Sequence, residues 1–420
     1  MNNYITKIEG HGKLNINFAK NTAVLEIDEG ERLFEGLLLG RNFSDGPYLT
    51  ARICGICPTA HHLASTKAIE DALDIMPSES TIILRKIMLL AQIFQSHNLH
   101  LFFLALPDYY RLDSSLDIAK KFPMEFAIVL RLKQLADEIL KTIGGRAVHP
   151  ITPAIGGFAK KISLSKLSDI RNKINQSIDE AENLISIFEN LDYPKFENPS
   201  EYLALSGLGT KNTTYPLYSG KIISSDYHWS NDNDFNKIFK EEIKPHSTAK
   251  FAYRDDKSQM VGALARLIIN HESLNPLAKN RLKKAKIDIF AQNPFYNNFA
   301  QSIEILNCLE EIKNLIEQFL RTPQDVMPKK FKIKAGIGVG VIEAPRGILY
   351  HYYEIDENGK IKDINIITPT VLNLANLEKD AQKLILNHVN QDEILSKVER
   401  VREIEMLIRA YDPCITCSVH

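Results

Sequence analysis

The sequence predicts a mainly α fold of the α+β kind. It is expected to be one large domain over residues 1–420, a bundle of long helices with small peripheral β-sheets. Three observations carry this expectation. Helical periodicity runs through long stretches, above all 78–106, 115–142 and 163–191, and returns at 257–271, 274–290 and 299–321. Alternating apolar and polar residues are confined to 4–28 and 331–367. The 420 residues, 44% of them hydrophobic, suffice for a large core, and no internal repeat, low-complexity tract or clear domain boundary divides them.

The chain starts with a strand pair, Lys13–Phe18 and Val24–Ile27, turning at Lys20–Asn21, and the first cysteine pair closes this segment at about residue 61. Residues 31–41 predict a short apolar helix in which Glu35 sits among leucines and a phenylalanine. A buried carboxylate there needs a cation or N–H donors; otherwise Glu35 turns to solvent. The helical core, 62–191, begins with a helix over 62–75 that ends near Pro77. The helix over 78–106 is apolar nearly all round, hence buried. Its His97 and His100 share a face three residues apart, and their expected role is hydrogen bonding in the core. A turn-rich linker with Gly144-Gly145 and Gly156-Gly157 separates the next two helices. Residues 192–250, rich in Asn, Ser, Tyr and Pro and holding the lone Trp229, read as an irregular excursion with short strands. Helices over 257–321 follow, with Cys308 among aliphatics. In 331–367, Ile348–Ile355 and Ile361–Ile367 form a hairpin on an Asn358-Gly359 turn. The preceding Gly336, Gly338 and Gly340 lack dinucleotide-fingerprint spacing. Helices at 371–389 and 392–410 lead to the second cysteine pair.

Composition excludes several functions. With 51 basic and 52 acidic residues the net charge is −1, which calls for neither nucleic acid nor an anionic membrane. No basic n-region or apolar h-region marks the start, and the apolar run 81–106 carries too many polar residues for a lipid-facing span. A cytoplasmic protein without a direct membrane span is expected. Five cysteines, four of them in C-x-x-C pairs, read as reduced thiols for metal or redox work.

The pairs are Cys54/Cys57 and Cys414/Cys417, at opposite ends of the chain. Thiolates suit zinc, iron–sulfur clusters or a redox metal such as nickel. A zinc ribbon closes over roughly 10–20 residues, and its metal folds a small module; neither applies here. A catalytic metal held between the two ends fits this spacing better, but all three readings stay open on spacing alone.

Two stretches go further. Arg-Ile-Cys-Gly-Ile-Cys-Pro-Thr-Ala-His at 52–61 and Asp-Pro-Cys-Ile-Thr-Cys-Ser-Val-His at 412–420 resemble the two signatures of the nickel–iron hydrogenase large subunit. The resemblance continues through Ile8-Glu9-Gly10-His11, Glu35 before Gly40-Arg41, His97 to Asp108, Ala344-Pro345-Arg346-Gly347 and Thr368-Pro369-Thr370. The Leu-Pro-Asp-Tyr segment and Ser-Val-His ending are most similar to the cytoplasmic, bidirectional branch, which couples to NAD(P), deazaflavin or other soluble carriers.

The resemblance implies the large-subunit fold, reversible splitting of H2, and a Ni-Fe centre with CO and cyanide on the iron. Cys54, Cys57, Cys414 and Cys417 would bind nickel, with Cys57 and Cys417 bridging to iron. Cys414 would take the proton of heterolytic cleavage and Glu9 relay it. Arg346 would hang over the open coordination side, held by Asp108 and Asp412. His61 would donate a hydrogen bond near a bridging sulfur, and Pro345, Thr368 and Thr370 would line the pocket of the diatomic ligands. Glu35, the Ile366 carbonyl and His420 would form a second metal site, for Mg or Fe. In the family a maturation endopeptidase cuts after the last histidine, so an end at His420 resembles a mature form. With only Cys308 left over, this chain is expected to hold no iron-sulfur cluster. It therefore implies a small subunit carrying such clusters, with further diaphorase or flavin/NAD(P) electron-transfer subunits. A hydrogen sensor with the same cofactor is the alternative function; a structural metal scaffold is the other.

Overall fold

The computed structural model describes residues 2–207, 214–226, 239–390 and 396–420; Trp229 lies outside them. Strands β1 (Asn2–Tyr4), β2 (Lys13–Asn17) and β3 (Thr22–Glu26) form an antiparallel sheet in that order. The expected pair turns at Lys20–Asn21, where Asn21 adopts φ 51°. Helix α1 (Phe34–Leu38) is shorter than the expected 31–41, because Leu33 is left-handed and Leu39 extended.

Helix α2 (Gly46–Thr50) precedes α3 (Pro58–Ala72), which begins four residues earlier than expected, with Pro58 in its first turn. Helix α4 (Glu79–Leu99) is capped by the Ser78 hydroxyl, which accepts from the Thr81 N–H. It passes into a π-helical segment, His100–Ala105, and then α5 (Leu106–Tyr109). The sequence reading took this as one α-helix; side-chain spacing alone does not reveal the wider turn. Among the described residues, Glu79–Tyr109 is the one stretch long and apolar enough to cross a membrane, and 78% of its most apolar window is buried inside the protein.

The expected helix 115–142 is two, α6 (Ser115–Lys121) and α7 (Pro123–Gly144). Pro123 has no N–H to give and holds Phe122 outside the α region, at φ −130° and ψ 62°. The linker pairs β4 (Pro153–Ala154) with β5 (Gly157–Phe158) before α8 (Leu164–Glu189). Five short strands follow: β6 (Glu201–Ser206), β7 (Lys221–Ser224), β8 (Phe239–Ile243), β9 (Lys250–Arg254) and β10 (Gln259–Met260). Because β10 pairs with β6, helix α9 (Ala263–Asn270) starts later than expected. Helices α10 (Pro276–Lys284) and α11 (Asn297–Arg321) complete this region.

The core is α4 packed against α7 and α11, with α8 across α7 and α11. Against it stands a three-stranded meander, β11 (Gly336–Ala344), β12 (Gly347–Ile355) and β13 (Ile361–Ile367). Helix α3 lies on β11, and this explains the glycine triplet. A Cβ at Gly336, Gly338 or Gly340 would sit 2.0, 2.1 or 2.0 Å from the carbonyl oxygens of Ala72, Ala68 and Ala64. Helices α12 (Pro369–Asn390), α13 (Lys397–Ala410, with a Ser396/Glu399 capping box) and α14 (Ile415–Ser418) bring the last residues back to the start of α3.

Candidate metal centre

Cys54 lies in the turn between α2 and α3, and Cys57 is the residue before α3. Cys414 is the residue before α14, and Cys417 lies within its single turn. The four sulfurs lie within 4.8 Å of one another, all buried and none in a disulfide. The closest pairs are Cys54–Cys414 at 3.4 Å and Cys57–Cys417 at 3.1 Å. The N–H groups of Ile56 and Cys57 point at the Cys54 sulfur, at 3.2 and 3.3 Å, which favours a thiolate. Among the described residues this is the one group of three or more His, Cys, Asp or Glu side chains able to share a metal. Cys308 is a core thiol in α11, pushed up by its burial.

Two tethers join the ends of the chain. The Ile415 N–H donates to the Glu9 carbonyl at 3.0 Å in a bridge between Glu9 and Cys414. Gly10, at φ +85°, packs so tightly on this segment that a Cβ would come within 2.6 Å of Ile415 Cβ. The Arg32 guanidinium donates to the Ile53 carbonyl at 2.6 Å and also to the Thr416 carbonyl, so one cation spans both cysteine turns. Sequence reasoning missed Arg32. Its place beside the acid-bearing helix α1 gave no hint of contacts this distant.

Around the sulfurs, Glu9 lies 3.0 Å from the Cys414 sulfur and accepts from the Thr416 N–H at 3.2 Å. Burial, then the nearby Cys414 charge, pushes its carboxyl up to about 8. Arg346, in the turn between β11 and β12, donates from Nε to the Asp412 carbonyl at 2.6 Å and from Nη2 to the Asp412 carboxylate at 2.8 Å. Its Nη1 is buried and has no acceptor among the described residues. Asp108 does not join this grip. Its oxygens are taken by Lys7 and Arg409, both at 2.6 Å, so of the two expected carboxylates only Asp412 touches Arg346. Asp412 is braced instead by Gln301 at 3.1 Å, and Gln301 by His100 at 2.6 Å. The π-helical segment, which begins at His100, delivers this prop. His97 meets Glu304 at 2.8 Å, so both histidines are hydrogen-bonded core residues, as expected.

His61 lies 3.6 Å from the Cys417 sulfur, and burial brings its imidazole down to about 3, hence neutral. Thr370 accepts from the Cys414 N–H at 3.0 Å. Pro345, Arg346, Pro369 and Thr370 line a small void with Cys57, Cys414 and Cys417. The Thr368 hydroxyl is fully buried with no partner among the described residues.

Four thiolates at this spacing suit a soft metal but do not choose one. The comparison with known proteins does. The protein-family model for nickel-dependent hydrogenase matches residues 32–127 and 210–420. The chain belongs to the nickel-dependent hydrogenase family. Sulfhydrogenase 1 subunit alpha of Pyrococcus furiosus is 34% identical over 99% of this chain and 96% of its own length. NAD-reducing hydrogenase HoxS subunit beta of Cupriavidus necator is 27% identical over 99% of this chain and 93% of its own. Among solved structures, an NAD+-reducing [NiFe]-hydrogenase in the H2-reduced state superimposes with a TM-score of 0.85 at 25% identity, covering 100% of this chain and 98% of that one.

For a nickel-dependent hydrogenase the site fits its metal centre. The four free thiols supply an all-sulfur donor set. The unpartnered Arg346 Nη1 and Thr368 hydroxyl are buried donors that lack protein acceptors, as expected of groups facing bound ligands. A second cluster lies beside it. His420 places Nδ1 2.7 Å from the Cys417 carbonyl and Nε2 2.8 Å from the Ile366 carbonyl, 4.0 Å from Glu35, which accepts from the Ile366 N–H at 2.7 Å. A neutral imidazole has one N–H, so it can donate to only one of these two carbonyls. Glu35 is thus half-buried and bound, rather than turned away to solvent.

Proposed function

We propose that this chain is the catalytic large subunit of a [NiFe] hydrogenase, which reversibly splits H2 into protons and electrons. The carrying observation is the convergence of four unoxidised thiols from both ends of the chain, within 4.8 Å, beneath Glu9 and Arg346. The nickel–iron centre held by Cys54, Cys57, Cys414 and Cys417, with CO and cyanide on iron, would supply the redox chemistry and the binding of dihydrogen.

The proposed roles of the residues are supported by their positions. Cys414 is the proposed first proton acceptor, since its sulfur alone touches a carboxylate. Glu9 then holds the proton, ordered by Thr416, and its raised affinity near neutral pH suits giving and taking. Arg346 keeps a fixed positive charge over the site; with Nε and Nη2 committed to Asp412, Nη1 is left for the substrate side. Asp108 acts at one remove: it anchors Lys7 and Arg409, and Arg409 holds the Thr6 carbonyl, in the segment that leads to Glu9. Pro345, Thr368 and Thr370 form the proposed wall around the diatomic ligands. Glu35, the Ile366 carbonyl and His420 are proposed to hold Mg or Fe, oxygen-rich ligands suiting a hard cation.

The electrons need a partner. Beyond the site cysteines this chain has only Cys308, so a small subunit with iron–sulfur clusters is proposed to dock where Cys54 nears the surface. Large exposed apolar residues lie on segments tied to that turn: Leu33 follows Arg32, which holds the Ile53 carbonyl, and Val148 precedes His149, which meets the Ala51 carbonyl; Gly55 is exposed within it. Cytoplasmic placement and coupling to a soluble carrier such as NAD(P) are part of this reading, the carrier being supported by the NAD-reducing relative.

Elemental analysis with infrared spectroscopy of the purified complex tests the core claim. Nickel and iron with diatomic stretching bands are expected; zinc alone, or no such bands, sinks it. Steady-state hydrogen-dependent dye reduction separates enzyme from hydrogen sensor, which would show negligible turnover.

A further inference from the structure

We propose that Asn297 and Asn373 are positioning residues: together they fix the turn that bears Arg346 against the segment that bears Asp412 and Cys414. That Arg346 and Cys414 serve the splitting of H2 rests on the reading above; the placement argument does not.

The Arg346 turn joins β11 to β12 and rests on a third segment, residues 261–264, which leads from β10 into α9. Contact between the two is close. A Cβ on Gly347, at φ +131°, would come 2.5 Å from a Val261 methyl. A Cβ on Gly262, at φ +121°, would lie 3.3 Å from the Arg346 carbonyl oxygen. Wherever residues 261–264 sit, the Arg346 turn sits against them.

Two buried asparagines anchor that segment. Asn373 of α12 meets Val261 with both ends of its amide. Its Oδ1 accepts from the Val261 N–H at 2.9 Å, and its Nδ2 donates to the Val261 carbonyl at 3.2 Å. Three residues earlier, on the same face of the helix, Thr370 accepts from the Cys414 N–H at 3.0 Å. Helix α12 thus holds Val261 and Cys414 one turn apart. Asn297, the first residue of α11, accepts at Oδ1 from the Leu264 N–H at 2.9 Å and donates from Nδ2 to the Ala410 carbonyl at 2.7 Å. Leu264 lies in the first turn of α9, whose N–H groups find no partner within the helix, and the residue before that helix, Gly262, has no side chain to cap it. Ala410 is two residues before Asp412. One asparagine therefore ties the segment to Cys414, the other to Asp412.

The residue type matters. Each asparagine serves one backbone donor and one backbone carbonyl with a single planar head. A carboxylate of the same shape has only acceptors and would set an oxygen against a carbonyl. The consequence is that Arg346 finds Asp412 already in place: its Nε and Nη2 meet an acceptor pair whose backbone is fixed from behind by side chains that touch neither the guanidinium nor a sulfur.

The test is 15N-arginine labelling of the full chain, with exchange of guanidinium N–H groups with solvent followed by NMR. The Arg346 Nε–H signal is assigned by its absence from Arg346→Lys. In the wild-type chain it should exchange no faster than the N–H groups of Arg85, a buried guanidinium held by Glu70 on α3. Asn297→Asp and Asn373→Asp keep the shape and remove the donor. Each should speed exchange at Arg346 by about tenfold, the worth of one hydrogen bond, and leave Arg85 unchanged. An Arg346 that exchanges faster than Arg85 in the wild-type chain overturns the proposal even if neither variant folds. An unchanged Arg346 in a folded variant overturns it too. So does equal acceleration at both arginines, which is what a general loss of stability produces. The measurement needs no nickel, so the hydrogenase reading and this one fail separately.

Discussion

Glu9 illustrates what a single residue's surroundings decide. In sequence it is an acid near the end of a strand region. In the structure it is held by a sulfur, a backbone N–H and the end of the chain. Glu9→Gln keeps the size and the Thr416 contact but cannot release a proton. Turnover should fall by orders of magnitude while nickel content is retained. Hydrogen isotope exchange with solvent should be lost while para-to-ortho conversion persists. Joint loss of both activities and of nickel would show that Glu9 is structural. At this scale the sequence was legible wherever a motif named the residue: the four cysteines, Glu9, Arg346 and Asp412 all meet. It was not legible where a residue acts through contacts hundreds of positions away. Arg32 and Gln301 carry no motif, and Asp108 was assigned to Arg346 although Lys7 and Arg409 are nearer.

Between elements, the deciding contact is α3 on β11. Gly338→Ala would drive a methyl to within 2.1 Å of the Ala68 carbonyl and 2.2 Å of the Ala72 N–H nitrogen, both helix backbone. Such overpacking costs ~1–3 kcal/mol or more, and since α3 carries Cys57 at its start, metal retention should fall with it. Thermal melting and nickel analysis of the purified complex check both effects. The sequence left the glycine triplet unexplained, because close approach of two backbones is a tertiary fact. It likewise overran the helix boundaries at 99 and 122, where a π turn and a proline intervene.

The junction of β11, α9 and α11 holds a buried ionic cluster. Arg266 pairs with Glu304 at 2.6 Å and Glu343 at 3.0 Å, and its remaining reach goes to the Ala344 and Pro345 carbonyls. Arg266 thereby supports the turn that bears Arg346. One guanidinium serves two carboxylates, and burial, partly offset by Arg266, leaves Glu343 raised from 4.5 to about 7. The raised value means the folded state binds this proton more tightly than the unfolded chain. The associated stability is fully present below about pH 4.5 and lost as pH rises through about 7. Glu343→Gln should remove that dependence. Its melting temperature should decline less than that of the wild type between pH 5 and 7.5 (about the same window), as measured by calorimetry. Parallel pH profiles would refute the assignment.

For the molecule as a whole, charge balance and the spare cysteine were the informative features. The first argued against nucleic acid and anionic membranes, the second for a cluster-bearing partner, and exposed Leu33, Leu37 and Leu39 on and beside α1 supply a candidate face for it. Leu37→Asp, on a residue 55% exposed, should leave the fold and melting temperature unchanged, since exposed substitutions change stability by only about 0.5 kcal/mol. It should, however, weaken copurification with the cluster-bearing subunit. Retention of a full complex would move the interface elsewhere. The mainly helical class and the hairpin were readable from periodicity. The packing order of α4, α7, α8 and α11 was not, since an all-round apolar helix does not say which neighbours it meets.

The two cysteine pairs are 360 residues apart along the chain yet a few ångströms apart in space. On the ribosome, at roughly 5–20 residues per second, Cys54 and Cys57 wait about 20–70 s before their counterparts are made. Throughout that interval they form a two-thiol claw open to any thiophilic ion in the cell, zinc and copper included. Faithful loading with nickel is therefore a problem of timing as well as affinity: the half-site must be kept from the commoner ions until the last turn of the chain arrives to close it.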